Sequence, residues 1–108
     1  MVKHIILWKL KDEYTGTEKE QIKAGIKEGL EGLAGKIPGL LDIHVQIDLL
    51  DSANADAMLD SSFADEKALQ SYAKDPTHNA VADSRIRPYV QTRLCVDFEK
   101  DDLLKYKS

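Results

Sequence analysis

The chain has 108 residues and a formal net charge of −4, which is enough for one domain and lacks the basic excess typical of nucleic-acid-binding proteins. Its single cysteine excludes an intrachain disulfide and leaves a cysteine-based structural zinc site short of ligands. The apolar runs are too short to cross a bilayer and the N-terminus shows no signal-peptide pattern, so we expect a cytoplasmic protein with no membrane and no nucleic-acid partner.

The first predicted element is a strand from Val2 to Leu10, rich in β-branched and aromatic residues. Both of its faces are partly apolar, which is typical of a strand that is covered on both sides. One face carries Val2, His4, Ile6, Trp8 and Leu10, and the other carries Lys3, Ile5, Leu7 and Lys9.

A helix is predicted next, starting with a capping box in which Thr17 is the N-cap and Glu20 reaches back to it. It should run to about Gly35, and its apolar stripe consists of Ile22, Ile26, Leu30, Leu33 and Ile37. Glycines at positions 25, 29 and 32 interrupt it, each at a cost of roughly 1 kcal/mol relative to Ala. They indicate either close packing of the helix on a sheet or space for a ligand beneath the helix.

Two further strands are predicted after the Ile37-Pro38-Gly39 turn. From Leu41 to Leu49, apolar and polar residues alternate with a period of two, the clearest strand signal in the chain. A weaker third strand is predicted from about Asp56 to Phe63.

The second helical region is predicted to be broken. Asp65 is placed to cap one helix, and Asp75 followed by Pro76 ends it and caps another. The last strand should span Val90 to Glu99. We expect Thr92, Leu94, Val96 and Phe98 on its helix-facing side, and Arg93, Cys95 and Asp97 on the other.

The order β-α-β-β-α-β predicts an α+β, ferredoxin-like protomer with a four-stranded antiparallel sheet and helices on one side. The face without helices would hold Ile5, Leu7 and Met58 among polar residues. Because an apolar sheet face of this kind needs a cover, and a second copy of the sheet is the simplest one, we expect a homodimer.

Four segments together resemble the stress-responsive A/B barrel (Dabb) domain family. They are Met1–Asp12, Lys36–Leu40, Ala68–His78 and Val96–Phe98, and the resemblance covers about residues 2 to 99. We therefore expect the domain to occupy residues 1–99 and a C-terminal tail to occupy 100–108. The resemblance implies a dimeric α/β barrel, in which two ferredoxin-like protomers close their sheets on each other.

The same resemblance implies candidate site residues. Family members include plant stress proteins of unassigned chemistry and a plant polyketide cyclase, in which a Tyr and a His act on a linear polyketide between sheet and helices. The matching positions here are Tyr72 and His78, and His4 matches a pocket histidine of the first strand. The chain departs from the cyclase at Ala57, where the cyclase has a pocket histidine, and its first helix lacks aromatic pocket walls. The cyclase substrate is therefore not expected to carry over.

The chemistry of these residue types allows two interpretations. His78 would lie in the first turn of a helix, where the positive end of the dipole favours a neutral imidazole able to act as a general base. The hydroxyl of Tyr72 could donate to a substrate carbonyl or a developing enolate. Alternatively, His78 ties a helix start to a strand, Tyr72 is a core residue with one hydrogen-bond partner, and His4 is a satisfied core histidine.

These patterns predict a barrel domain of unassigned role that binds a small apolar or aromatic molecule between sheet and helices. The residues expected to line the site are His4, Ile6, Trp8, Ile22 and Ile26. One alternative is a polyketide-cyclase-like enzyme that uses Tyr72 and His78, and another, by fold analogy alone, is a cofactor-free monooxygenase-like barrel. We expect no cofactor, because the sequence carries no haem or flavin signature. We also expect no metal site, because the polar residues around His44 on one strand provide no closed ligand set. A cavity of about 300 Å³ or more that holds His4, Tyr72 and His78 would favour catalysis.

Overall fold

A computed structural model describes residues 1–100 of the chain. The predicted C-terminal tail lies outside the described residues from position 101 onward. The elements, in chain order, are β1 (Val2–Leu10), α1 (Gly16–Glu31), β2 (Leu40–Gln46), β3 (Ala57–Phe63), α2 (Glu66–Lys74), α3 (Pro76–Val81) and β4 (Val90–Glu99), with a π-helical turn at Ala82–Ile86 after α3. No helix within residues 1–100 is long and apolar enough to cross a membrane.

The four strands form one antiparallel sheet in the order β2-β3-β1-β4. The helices cover one face of this sheet, and the predicted ferredoxin-like α+β fold is confirmed. The core lies between the two layers. Alternate β1 residues such as Ile6 and Trp8 are buried there against Ile26 and Leu30 of α1, as the period-two and helical patterns predict.

The start and the end of α1 differ from the prediction. Thr15 is the N-cap and makes no side-chain capping bond, so the predicted capping box at Thr17 is wrong. Gly16 adopts a φ of 57°, which only glycine adopts easily, and this turns the chain into the helix one residue before Thr17. The helix then ends at Glu31, and the turns that follow still bury Leu33 in the core.

Strand β2 is shorter than predicted. It stops at Gln46, which pairs with Met58, the second residue of β3. The register also shifts between Leu40 and Asp42. Leu41 falls in this irregularity and is 57% exposed, although the alternation places it with the buried residues.

Gly29 lies where two helical segments meet. A Cβ added there would come within 2.8 Å of side-chain atoms of both Val81 and Arg85. The close-packing explanation of the helix glycines is therefore correct for this position, but the neighbour is α3 with its π-helical turn and not the sheet.

The prediction for the faces of β4 is wrong. Trp8 pairs with Arg93, Ile6 with Cys95 and His4 with Asp97. Directly paired residues of antiparallel strands project from the same face, so these three β4 side chains lie on the helix side with the buried face of β1.

The apolar side chains of β4 therefore project from the other side of the sheet. We call this side the uncovered face, defined by Ile5, Leu7, Met58, Leu94, Val96 and Phe98. In the single chain Leu94 is 59%, Val96 54% and Phe98 45% exposed. Lys3 lies at the same face and makes an ion pair of 2.6 Å with Asp60.

Candidate functional site

A cavity of about 730 Å³ lies on the helix side of β1 and β4. We call it the sheet–helix cavity. Its remaining walls come mainly from α2, α3 and the π-helical turn. It holds His4, Tyr72 and His78 together, the arrangement expected to favour catalysis.

The predicted lining residues divide into two groups. His4, Ile6 and Trp8 line the sheet–helix cavity. Ile26 is fully buried in the core, and Ile22 lines a separate, smaller groove between α1 and the π-helical turn, so neither lines the cavity. The structure therefore places these two predicted lining residues outside the cavity, and Leu30 is the α1 residue that lines it.

The break between α2 and α3 places His78 beside Tyr72. The carboxylate of Asp75 accepts hydrogen bonds from the backbone N–H groups of Thr77 (2.8 Å) and His78 (3.3 Å), and Pro76 occupies the first turn. This is the predicted cap. The rings of Tyr72 and His78 lie against each other, with centroids 4.0 Å apart and planes inclined by 34°.

Two other rings support this pair from the sheet. His4 meets Tyr72 edge to face at 6.0 Å, and Phe63 lies 4.9 Å from Tyr72. Phe63 is fully buried and also contacts His4 at 6.2 Å. The candidate residues are thus held by packing from β1 and β3.

Two buried polar atoms of the cavity have no hydrogen-bond partner within residues 1–100. They are the hydroxyl of Tyr72 and Nδ1 of His78. An unpaired buried polar group costs about 1–3 kcal/mol. A bound molecule with matching donors and acceptors would recover that free energy.

The protonation of both groups suits proton transfer. Burial raises the pKa of Tyr72, and the positive charge of Arg93 opposes this only in part. Burial lowers the pKa of His78, with further lowering by the neighbouring Arg87 and His4 and opposing effects from Asp75 and the backbone of Tyr72. Near neutral pH, Tyr72 is therefore a phenol that can donate, and His78 is a neutral imidazole that can accept a proton.

The β4 wall of the cavity contains three polar residues, Arg93, Cys95 and Asp97. The sequence pattern predicts them on the opposite face of the sheet. Nδ1 of His4 is hydrogen-bonded to the carboxylate of Asp97. The sulfur of Cys95 lies 3.8 Å from the same nitrogen. Burial and the neighbouring Asp97 raise the pKa of the Cys95 thiol, against a lowering effect of Arg93. The predicted fold places β1 next to β4, which indicates that His4 could contact β4 residues. Which β4 face lies beside His4 depends on the register of the two strands, and neither strand sequence alone gives that register.

Comparisons with known proteins agree with this architecture. A family model described as the Stress Responsive A/B Barrel Domain matches residues 2–100. A dimeric protein of unknown function with a ferredoxin-like fold from Bacteroides fragilis is 31% identical, with a TM-score of 0.85 over 92% of this chain and 95% of that one. No curated protein sequence matches the chain.

Two less similar structures also share the fold. One is a dimeric ferredoxin-like protein of unknown function from Thermobifida fusca, which is 26% identical with a TM-score of 0.71 over 90% of this chain and 88% of that one. The other is a hydroxynitrile lyase from Passiflora edulis, at 15% identity and a TM-score of 0.69 over 94% of both chains. The same architecture thus occurs in proteins of unknown function and in an enzyme.

Proposed function

Since the chain belongs to the stress-responsive A/B barrel domain family, we propose that it binds a small apolar or aromatic molecule in the sheet–helix cavity. The observation that carries this proposal is a 730 Å³ cavity that contains the unpartnered polar atoms of Tyr72 and His78. Ligand pockets typically measure about 300–1,000 Å³ and combine apolar walls with a few polar groups.

The lining supports an apolar or aromatic ligand. Ile6, Trp8, Leu30 and Leu59 form apolar parts of the wall. Transfer of apolar surface from water to such a wall contributes roughly 25 cal/mol for each Å² buried. The hydroxyl of Tyr72 then selects a ligand that places a carbonyl or hydroxyl oxygen beside it.

The binding experiment uses the only tryptophan of the chain, which is Trp8 and lines the cavity. Acetophenone and longer alkyl phenyl ketones are titrated against Trp8 fluorescence. We expect saturable quenching, with tighter binding for longer alkyl chains. Ala73 also lines the cavity, so Ala73→Phe should raise the dissociation constant at least about tenfold by occupying ligand space.

The matched control is Ala53→Phe, a change of the same size at an exposed residue outside the cavity lining. It should bind the ketones as the wild type does. Equal affinities of the wild type and Ala73→Phe would contradict binding in the cavity, and so would quenching that never saturates.

A second candidate function, polyketide-cyclase-like catalysis, is favoured by the stacked Tyr72 and His78 rings. In the proposed step, neutral His78 takes a proton from the carbon next to a ligand carbonyl. The electron pair of the broken C–H bond moves to form the enolate, whose oxygen accepts a hydrogen bond from Tyr72. Attack of the enolate carbon on a second carbonyl of the same molecule would then form a C–C bond, and the new alkoxide would take up a proton.

Exchange of the acetophenone methyl protons for deuterium in D₂O isolates the first of these steps. We expect the wild type to accelerate exchange and His78→Gln to reduce that acceleration by about 100-fold or more, the usual contribution of a general base. Because the pKa of His78 is lowered, the rate should rise with pH to a plateau, with its midpoint below the ordinary histidine value of ~6.5. The titratable and charged side chains that act on this ring are Arg87, His4 and Asp75.

Tyr72→Phe is the companion variant, since it keeps the ring that packs on His78 and removes only the hydroxyl. It should also lower the exchange rate. Ketone binding without accelerated exchange would contradict the catalytic proposal and would still support the binding proposal.

We further propose that the chain is a homodimer joined through the uncovered face. The exposed Leu94, Val96 and Phe98 form a contiguous apolar surface with Ile5 and Leu7 of the neighbouring strand. Apolar patches of this kind mark interaction surfaces. The solved relatives from Bacteroides fragilis and Thermobifida fusca are described as dimeric, which supports a second copy as the cover.

A further inference from the structure

We propose that His4, Cys95 and Asp97 form a binding site for a divalent transition metal such as Zn²⁺ on the β4 wall of the sheet–helix cavity. The inference does not depend on the proposed ligand or on catalysis by Tyr72 and His78. It rests on how the β1–β4 register brings three different ligand types together.

The register places the three residues at the corners of a small triangle. His4 pairs directly with Asp97, and Cys95 lies two residues earlier on the same face of β4. The ligand atoms of the three side chains all lie within 4.8 Å of one another. Cys95 and Asp97 lie 91 and 93 positions after His4 in the chain, so no local spacing motif connects the three residues.

The distances suit one ion. Zinc bonds of about 2.0–2.1 Å to nitrogen and 2.3 Å to sulfur at a tetrahedral angle place the two ligand atoms ~3.6 Å apart. Nδ1 of His4 and the sulfur of Cys95 are 3.8 Å apart. The Asp97 carboxylate is hydrogen-bonded to the same nitrogen and must move outward to admit the ion, which its 44% exposed side chain allows.

The charges also match a divalent cation. Binding converts the thiol to a thiolate and releases its proton to solvent, and any proton on Nδ1 of His4 moves to the other ring nitrogen or to solvent. A thiolate and a carboxylate then neutralise the two positive charges of the ion, so the nearby Arg93 does not face a net cation. Thiolate, imidazole and carboxylate together favour Zn²⁺ over Mg²⁺ or Ca²⁺.

Three protein ligands leave one position of a tetrahedral ion open. His4, Cys95 and Asp97 all line the sheet–helix cavity, so an ion held between them is accessible from it. Structural zinc sites use four protein ligands, whereas catalytic sites commonly use three and a water or substrate. The proposed site is thus of the open type.

Cobalt(II) provides a direct test on the full-length chain, because Cys95 is its only thiol. A thiolate-to-cobalt charge-transfer band can therefore come from this residue alone. We expect the band to saturate at one equivalent of Co²⁺ per chain and to vanish on addition of Zn²⁺ and in Cys95→Ser. His4→Gln and Asp97→Asn should each weaken Co²⁺ binding at least about tenfold. His44→Gln, which removes an exposed histidine from the other side of the sheet, should leave the band unchanged.

A second measurement needs no variant and so does not depend on the folding of a His4 substitution. The rate at which a chromogenic aromatic disulfide modifies Cys95 is compared with and without Zn²⁺. We expect Zn²⁺ to slow the reaction at least tenfold. The proposal is overturned if no thiolate–cobalt band forms, if the band is undiminished in both His4→Gln and Asp97→Asn, or if Zn²⁺ leaves the modification rate unchanged.

Discussion

Replacement of Val96 by Glu is expected to convert the proposed homodimer into a monomer. Val96 pairs with Ile5 and lies between Leu94 and Phe98 on the uncovered face. Because the interface is two-fold symmetric, the substitution places two carboxylates in it. Each carboxylate loses its hydration when apolar side chains bury it, at a cost of several kcal/mol. A rise of the dissociation constant by at least about 100-fold, equivalent to ~2.7 kcal/mol, is the expected result.

Light scattering after size-exclusion chromatography at micromolar concentration measures this change. The wild type should have twice the chain mass of 12.1 kDa, and Val96→Glu should have the single-chain mass with an unchanged far-ultraviolet circular dichroism spectrum. Leu50→Glu is the control, since Leu50 is 80% exposed and lies in the loop after β2. A 12.1 kDa wild type, or a variant that stays dimeric, would refute the proposed interface.

The polar residues of the same side of the sheet are compatible with burial by a partner. Lys3 is already paired with Asp60 and also donates a hydrogen bond of 2.8 Å to Ser62. A charge that is paired within its own chain loses less on burial than an isolated one. The face therefore combines an apolar strip with a lysine whose partners, Asp60 and Ser62, belong to the same chain.

Phe63→Ala is expected to lower the free energy of unfolding by about 3–5 kcal/mol, the usual cost of removing a buried aromatic ring. Phe63 is fully buried at the end of β3. Its ring packs against the rings of both His4 and Tyr72, so its removal leaves a cavity beside them. Phe63→Leu, which keeps most of the apolar volume, should show a smaller loss.

Urea denaturation followed by circular dichroism gives these free energies. All variants are compared at one protein concentration, because the stability of a dimer depends on concentration. Leu50→Ala serves as the control and should change the free energy of unfolding by no more than about 0.5 kcal/mol. A loss below about 1 kcal/mol for Phe63→Ala would show that the ring does not support the core at this point.

The Phe63 prediction links stability to the site. His4, Tyr72 and Phe63 form one aromatic cluster, and His78 stacks on the outer side of Tyr72. The positions of the candidate residues therefore depend on the same contacts that hold the sheet to α2. The loss of one ring from β3 should weaken ketone binding as well as folding.

Structural features that depend on residues close together in the chain could be predicted from the sequence. The alternation in β1 identifies its buried face, and the Asp75-Pro76 pair marks both the helix break and the cap that place His78 beside Tyr72. The order of the predicted elements was sufficient for the ferredoxin-like fold, and four short segments that resemble the family were sufficient to identify it. Each of these signals acts over one turn or one strand, where local sterics and hydrogen bonding decide the conformation.

By itself, then, the sequence determined the fold, the family and the pairing of Tyr72 with His78. Only the tertiary structure decided which face of β4 looks into the cavity, and therefore that Cys95 and Asp97 join His4. Alternation along a strand divides its residues between two faces, but it does not determine which of the two faces the helices cover. The usual guide, that the apolar face is the inner one, fails here because β4 directs its apolar residues to the uncovered face, where we propose that a second copy of the chain buries them.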